Sequence, residues 1–138
     1  KLSDFKNIPI CIEANNDINT KKLKKLGKII GSKCYHVDSK QRLALHVAAV
    51  FACNFTNYLF SIAYDICTNN KIPFETLFPL IRETLEKIEQ NNPYKIQTGP
   101  AIRKDLITIK KHLNFIKSKN SKKIYSILTE GIIANNGK

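Results

Sequence analysis

The sequence has no tryptophan and no methionine, only five glycines, and only three arginines (Arg42, Arg82, Arg103) among its 23 basic residues. Each shortage excludes something. The glycines stand at positions 27, 31, 99, 131 and 137, so no G-x-G-x-x-G run follows a strand and this chain carries no phosphate-cradling loop. The four cysteines (Cys11, Cys34, Cys53, Cys67) form no C-x-x-C pair, and each sits in an apolar run. Such spacing fits small buried hydrophobes in a reducing cytoplasm, not a four-ligand metal site. No apolar leader follows the polar opening Lys1 to Asn7, so no signal peptide is expected and a cytoplasmic location is. The scarcity of arginine bears on the formal charge of +12. The excess lies at the two ends: residues 1–40 hold nine lysines against four acids, and residues 101–138 hold nine basic residues against two acids. Lysines that alternate with apolar helix positions read as a solvated face, and no nucleic-acid partner is expected.

What is present begins with one βαβ unit. Ile8-Pro9-Ile10-Cys11-Ile12 reads as a strand, Thr20 to Ile30 as a helix stopped by Gly31, and Lys33 to Val37 as a second strand. Such a unit does not stand alone, because its parallel strands need neighbours. Residues 1–38 are therefore expected to be the last βαβ unit of a nucleotide domain whose remainder this chain does not supply.

Residues 39–138 read as helical. Ser39 is the expected cap of a long central helix. From Leu43 to Tyr64 run 22 residues without formal charge, 17 of them hydrophobic. Length alone would permit a membrane span. However, His46, Asn54, Asn57 and Ser61 fall within about 80° of one another at the helical step. One polar stripe on an apolar helix fits the centre of a soluble helical domain, with the stripe facing either a cleft or an internal hydrogen-bond network; four groups on one stripe favour the cleft. Three further helices are expected. One runs from Phe74 to Gln90 with Pro79 in its early turns, one passes through a seam of Ile102, Leu106, Ile109, Leu113 and Ile116, and the last covers Ile124 to Ile132. Ahead of the seam lies Gln97-Thr98-Gly99-Pro100-Ala101-Ile102-Arg103-Lys104-Asp105. Thr98 there reads as the helix cap, with Pro100 in the first turn and Arg103 on the same side, a natural seat for an anion or a carbonyl oxygen. On the local pattern alone, an ordinary capped helix is the favoured reading.

Leu45 to Phe55, then Gln97 to Asp105 and His112-Leu113, resemble the C-terminal domain of a bacterial family of NADP oxidoreductases, described by a domain of unknown function, DUF2520. The resemblance covers residues 8 to about 133. It implies a Rossmann-like N-terminal domain followed by a helical domain similar to that of 6-phosphogluconate dehydrogenase, which closes the substrate cleft and forms a dimer. The implied fold class is mainly α: a residual βαβ unit followed by a helical domain of the 6-phosphogluconate dehydrogenase C-terminal type. On this reading His46 is the acid/base and Asn54 orients the substrate, while Asn57, Thr98, Gly99, Arg103 and Asp105 bind it. NADP belongs to the full-length parent and is not bound by this fragment. Hydroxyacid dehydrogenase relatives place a catalytic lysine four residues before the asparagine, where this chain has Val50. That departure leaves open a non-catalytic, dimeric, nucleotide-sensing module. Homodimerisation through the central helix and the seam at Ile102 and Ile109 is expected, with no membrane partner; the small-molecule substrate is not identified.

Overall fold

The structure is a computed structural model that describes residues 8–135. The polar opening Lys1 to Asn7 lies outside the described residues. The chain divides into two compact units, one up to Tyr58 and one from Leu59 onward.

In the first unit, strand β1 (Ile10–Ile12) leads into helix α1 (Asp17–Ile29) and then strand β2 (Cys34–His36). The strands pair in parallel, Ile10 opposite Cys34 and Ile12 opposite His36, so the βαβ reading holds. Asn16 starts α1 by accepting the Asn19 amide at 2.8 Å, the capping role short polar side chains fill best. The helix stops at a Schellman motif: Ser32 N–H donates to the Gly27 carbonyl and Gly31 N–H to that of Lys28. Gly31 takes the left-handed conformation there, with φ 79°.

Gly27 is buried where α1 meets β2, and a Cβ on it would lie 2.0 Å from Cys34 Sγ but 3.8 Å from Cys34 Cβ. Helix and strand thus approach closely because one side chain is missing. Gly27→Ala is expected to destabilise this unit by about 1–3 kcal/mol through overpacking. Adding Cys34→Ala removes the clashing sulfur and should recover most of the loss, since alanine also favours the helix by about 1 kcal/mol. Urea titration of the single and double variants checks this. Equal destabilisation of both would show that the sulfur is not the obstacle.

Helix α2 (Ser39–Ala49) begins one residue earlier than the sequence suggests. Asp38, not Ser39, is its N-cap, in a capping box with Gln41. Ser39 instead donates its amide and hydroxyl to Glu13, just past β1, and Arg42 donates to Glu13 at 2.7 Å. This clasp ties the end of β1 to the start of α2. The helix continues through a π-helical turn (Val50–Phe55) into α3 (Thr56–Asn69). The continuous helix Ser39–Asn69 is long and apolar enough to cross a membrane by length and composition. A soluble core helix passes the same test, but here none of its most apolar window is buried. Phe51 is 65% and Phe55 50% exposed.

In the second unit α3 also ends in a Schellman motif, with Lys71 left-handed at φ 58°. A short 3-10 turn (Phe74–Leu77) precedes α4 (Phe78–Gln90), which Pro79 restarts in its first turn, where the missing N–H costs nothing. Edge-to-face contacts link Tyr64, Phe74 and Phe78, with centroids 5.5 and 5.7 Å apart. A second 3-10 turn (Pro93–Lys95) is capped by Asn92, and α5 (Leu106–Phe115) and α6 (Lys119–Ala134) complete the unit. Cys67, Ala101 and Ile109 are buried in it. Ile109 is buried within this unit, whereas the exposed large apolar positions of α5 are Leu106, Ile107 and Phe115. Cysteine burial is also narrower than expected. Cys67 is buried, Cys11 and Cys34 are half-buried, and Cys53 is exposed. Gly131 stands inside α6, where glycine costs about 1 kcal/mol relative to alanine, and a Cβ there would meet nothing within 4 Å.

Candidate active site

His46 lies in the last turn of α2 and is exposed. Asn54 lies within the π turn, and Asn57 follows at the start of α3. The sequence offered no sign of that turn. A π turn takes one extra residue, which sets the following helix back by about 100°. Asn57, placed at about 20° from His46 by regular helical steps, thereby swings to roughly 80° on its other side. The stripe between these two residues is broader than an unbroken helix would make it. Thr56 supports the turn by donating its hydroxyl to the Phe51 carbonyl at 3.3 Å, five residues back. Val50 opens the turn. Turns of this kind occur often where a helix must aim a functional side chain, and Asn54 sits inside this one.

The segment 97–105 departs further from expectation. Thr98 caps no helix, because α5 starts only at Leu106. From Gly99 (φ 105°) the chain makes a single turn that closes in a third Schellman motif. Asp105 N–H donates to the Pro100 carbonyl and Lys104 N–H to that of Ala101, with Lys104 left-handed at φ 54°. Because lysine, not glycine, holds the left-handed position, the sequence lacked the usual mark of a helix stop. Asp105 then caps α5, accepting the Thr108 amide at 3.0 Å and the Thr108 hydroxyl at 2.7 Å. These two bonds, with a smaller contribution from Arg103, hold the Asp105 carboxyl below the ordinary aspartate range. The cap is therefore fully in place above the unfolded aspartate value and is lost as the pH falls through the lowered one. The helix-start seat assigned to an external anion is filled by the chain's own carboxylate. Arg103, exposed in the preceding turn, is left to face solvent.

His46, Asn54 and Asn57 belong to the first unit, whereas Thr98, Gly99, Arg103 and Asp105 belong to the second. Sequence reasoning missed two polar arrangements. One is the Glu13–Ser39–Arg42 clasp at the carboxyl end of β1, the sheet edge at which α/β folds of this type bind ligands. Its signal was an acid directly after a strand and one of the few arginines at the next helix start. The other is His112 Nδ1, 2.8 Å from the Tyr125 hydroxyl, which joins α5 to α6.

The described residues do not fit the pyrophosphate of a dinucleotide. Gly27 packs inside α1, Gly99 opens a turn and Gly131 faces open space in α6, so none forms a loop between a strand and a helix start.

Comparison with known proteins completes this picture. The domain of unknown function DUF2520 matches residues 8–132. A crystal structure from Bacteroides fragilis, of a protein described as a putative NADP oxidoreductase, is 38% identical, with a TM-score of 0.86 over 96% of this chain. The chain spans about half that protein's length, 51%. No curated protein matches significantly. By the extent of that match, the chain belongs to the DUF2520 family.

Proposed function

We propose that this chain is the helical C-terminal domain, with the last βαβ unit of the nucleotide domain, of a soluble cytoplasmic NADP-dependent oxidoreductase. The 38% identity to the Bacteroides fragilis protein carries this reading. In the longer protein the helical domain closes the substrate cleft. NADP supplies the hydride chemistry and is held by the half this chain does not span. His46 moves a proton to or from the reacting oxygen or nitrogen, and Asn54, aimed by the π turn, orients the substrate. Asn57, Thr98, Gly99 and Arg103 bind the substrate, and Asp105 fixes the start of α5. The chain pairs with a second copy through the central helix, whose apolar faces are left uncovered by its own unit.

Two measurements test this reading. The longer protein should oxidise NADPH with at least one member of a carbonyl and imine panel, while calorimetry on the 138-residue chain should register no NADPH binding. Micromolar binding by the chain alone would overturn the assignment of NADP to the other half. A second reading rests on Val50, which leaves the central helix without the lysine of the dehydrogenase relatives. The domain is then a dimeric module that senses the nucleotide without turning it over, and the signature is NADPH binding by the longer protein with no oxidation across the panel.

A further inference from the structure

The second unit holds a half-open cavity of about 430 Å³ between the Pro93–Lys95 turn, Gln97, Ile102 and the last turns of α6, with Tyr94 and Ile127 exposed at its mouth. Its size lies within the range of sites that enclose small organic molecules. Ile102, Ile127, Leu128 and Ile132 supply its apolar wall, while Tyr94, Gln97 and Asn135 are its polar members. Although the chain has 23 basic and 11 acidic residues, no charged side chain among the described residues lines the cavity. A charged ligand would find no counter-ion there and would lose its hydration on entry, so the cavity disfavours both NADP and simple anions.

Gly131 is the second observation. It occupies a helix interior, where glycine is disfavoured, and its missing side chain opens onto the cavity with nothing within 4 Å of where a Cβ would stand. No packing among the described residues requires a glycine there. The polar groups define the occupant further. Asn135 donates its side-chain amide to the Gly131 carbonyl at 2.9 Å, and Gln97 donates its own to the Thr98 carbonyl at 3.0 Å. Each amide nitrogen engages one of its two N–H groups inside the chain and so turns toward it, which leaves the side-chain carbonyl oxygens of Gln97 and Asn135 to serve as acceptors beside the Tyr94 phenol.

We propose that this cavity is a binding site for a neutral small molecule with an aromatic or branched apolar body and one hydroxyl or N–H group. The apolar body lies against Ile102, Ile127, Leu128 and the face of α6 at Gly131, and the donor meets Gln97. The site is independent of the hydride-transfer reading, since it uses neither His46 nor the dinucleotide.

The test is a nitrogen-15 NMR titration of the 138-residue chain with indole, a neutral ring with a single N–H. Saturable shifts are expected at the Gly131 and Ile132 amides and the Gln97 side chain, with indole-3-acetate at least tenfold weaker despite the chain's positive charge. Gly131→Phe should fill the cavity and weaken indole at least tenfold while the far-ultraviolet circular dichroism is kept. Gln97→Leu, which leaves α6 untouched, should weaken it severalfold and serves if the phenylalanine variant does not fold. The proposal is overturned if the shifts do not saturate or spread along Ser39–Asn69, or if the anion binds as well as indole. It is equally overturned if Gly131→Phe folds and binds indole unchanged. Shifts at Gly131 on dilution without ligand would also overturn it, because the occupant would then be a second copy of the chain.

Discussion

Phe51→Lys is expected to convert a dimer of this chain into a monomer, weakening self-association by about a thousandfold. Phe51 is 65% exposed and packs edge-to-face on Phe55 at a centroid distance of 5.0 Å, so the pair forms one aromatic knob on the π turn. An aromatic anchor at the centre of an interface contributes about 2 kcal/mol or more. In a twofold dimer each substitution acts twice, which gives about 4 kcal/mol, or roughly three powers of ten. Sedimentation equilibrium across micromolar concentrations reads the effect. Lys25→Glu, on the polar face of α1, is the control and should leave association unchanged. A wild-type chain that remains monomeric at tens of micromolar, a usual concentration for weak dimers, would sink the dimeric reading. So would a Phe51→Lys variant that stays dimeric.

The second large effect concerns turnover in the longer protein. His46→Ala should lower kcat by about 10²- to 10⁴-fold, the usual contribution of a positioned acid/base, with NADPH affinity little changed because the imidazole does not hold the cofactor. Its side chain is exposed at the end of α2, so the substitution leaves no cavity and the fold should persist. Arg103→Ala should act chiefly on KM, since an exposed guanidinium in a turn orients an anionic group without joining the proton transfer. A His46→Ala enzyme within about threefold of wild type would exclude the imidazole from the chemistry, because loss of an acid/base costs far more than that. If both variants altered only KM, the two residues would be binding groups and the acid would lie elsewhere; the Tyr125 hydroxyl, paired with His112, would then be the first to test.

The sequence by itself determined the elements whose causes are local. The βαβ unit followed from a short β-branched run, a periodic helix and a second short strand run, and Gly31 marked its helix stop because left-handed backbone favours glycine. Pro79 announced the restart at α4, and the order of four helical rods followed from apolar spacing. The extent of the family match was legible too, since it rests on two ordered motifs. Only the tertiary structure decided the rest. Left-handed Lys104 moved the start of α5 from Thr98 to Asp105, and a lysine carries no sign that its backbone will turn that way. The π turn was hidden because helical arithmetic assumes one step per residue, while Val50–Phe55 takes a residue more. Glu13 met Ser39 and Arg42 across more than two dozen residues, and Gly27 met Cys34 through space. Contacts of that kind depend on how elements pack, which local periodicity does not encode.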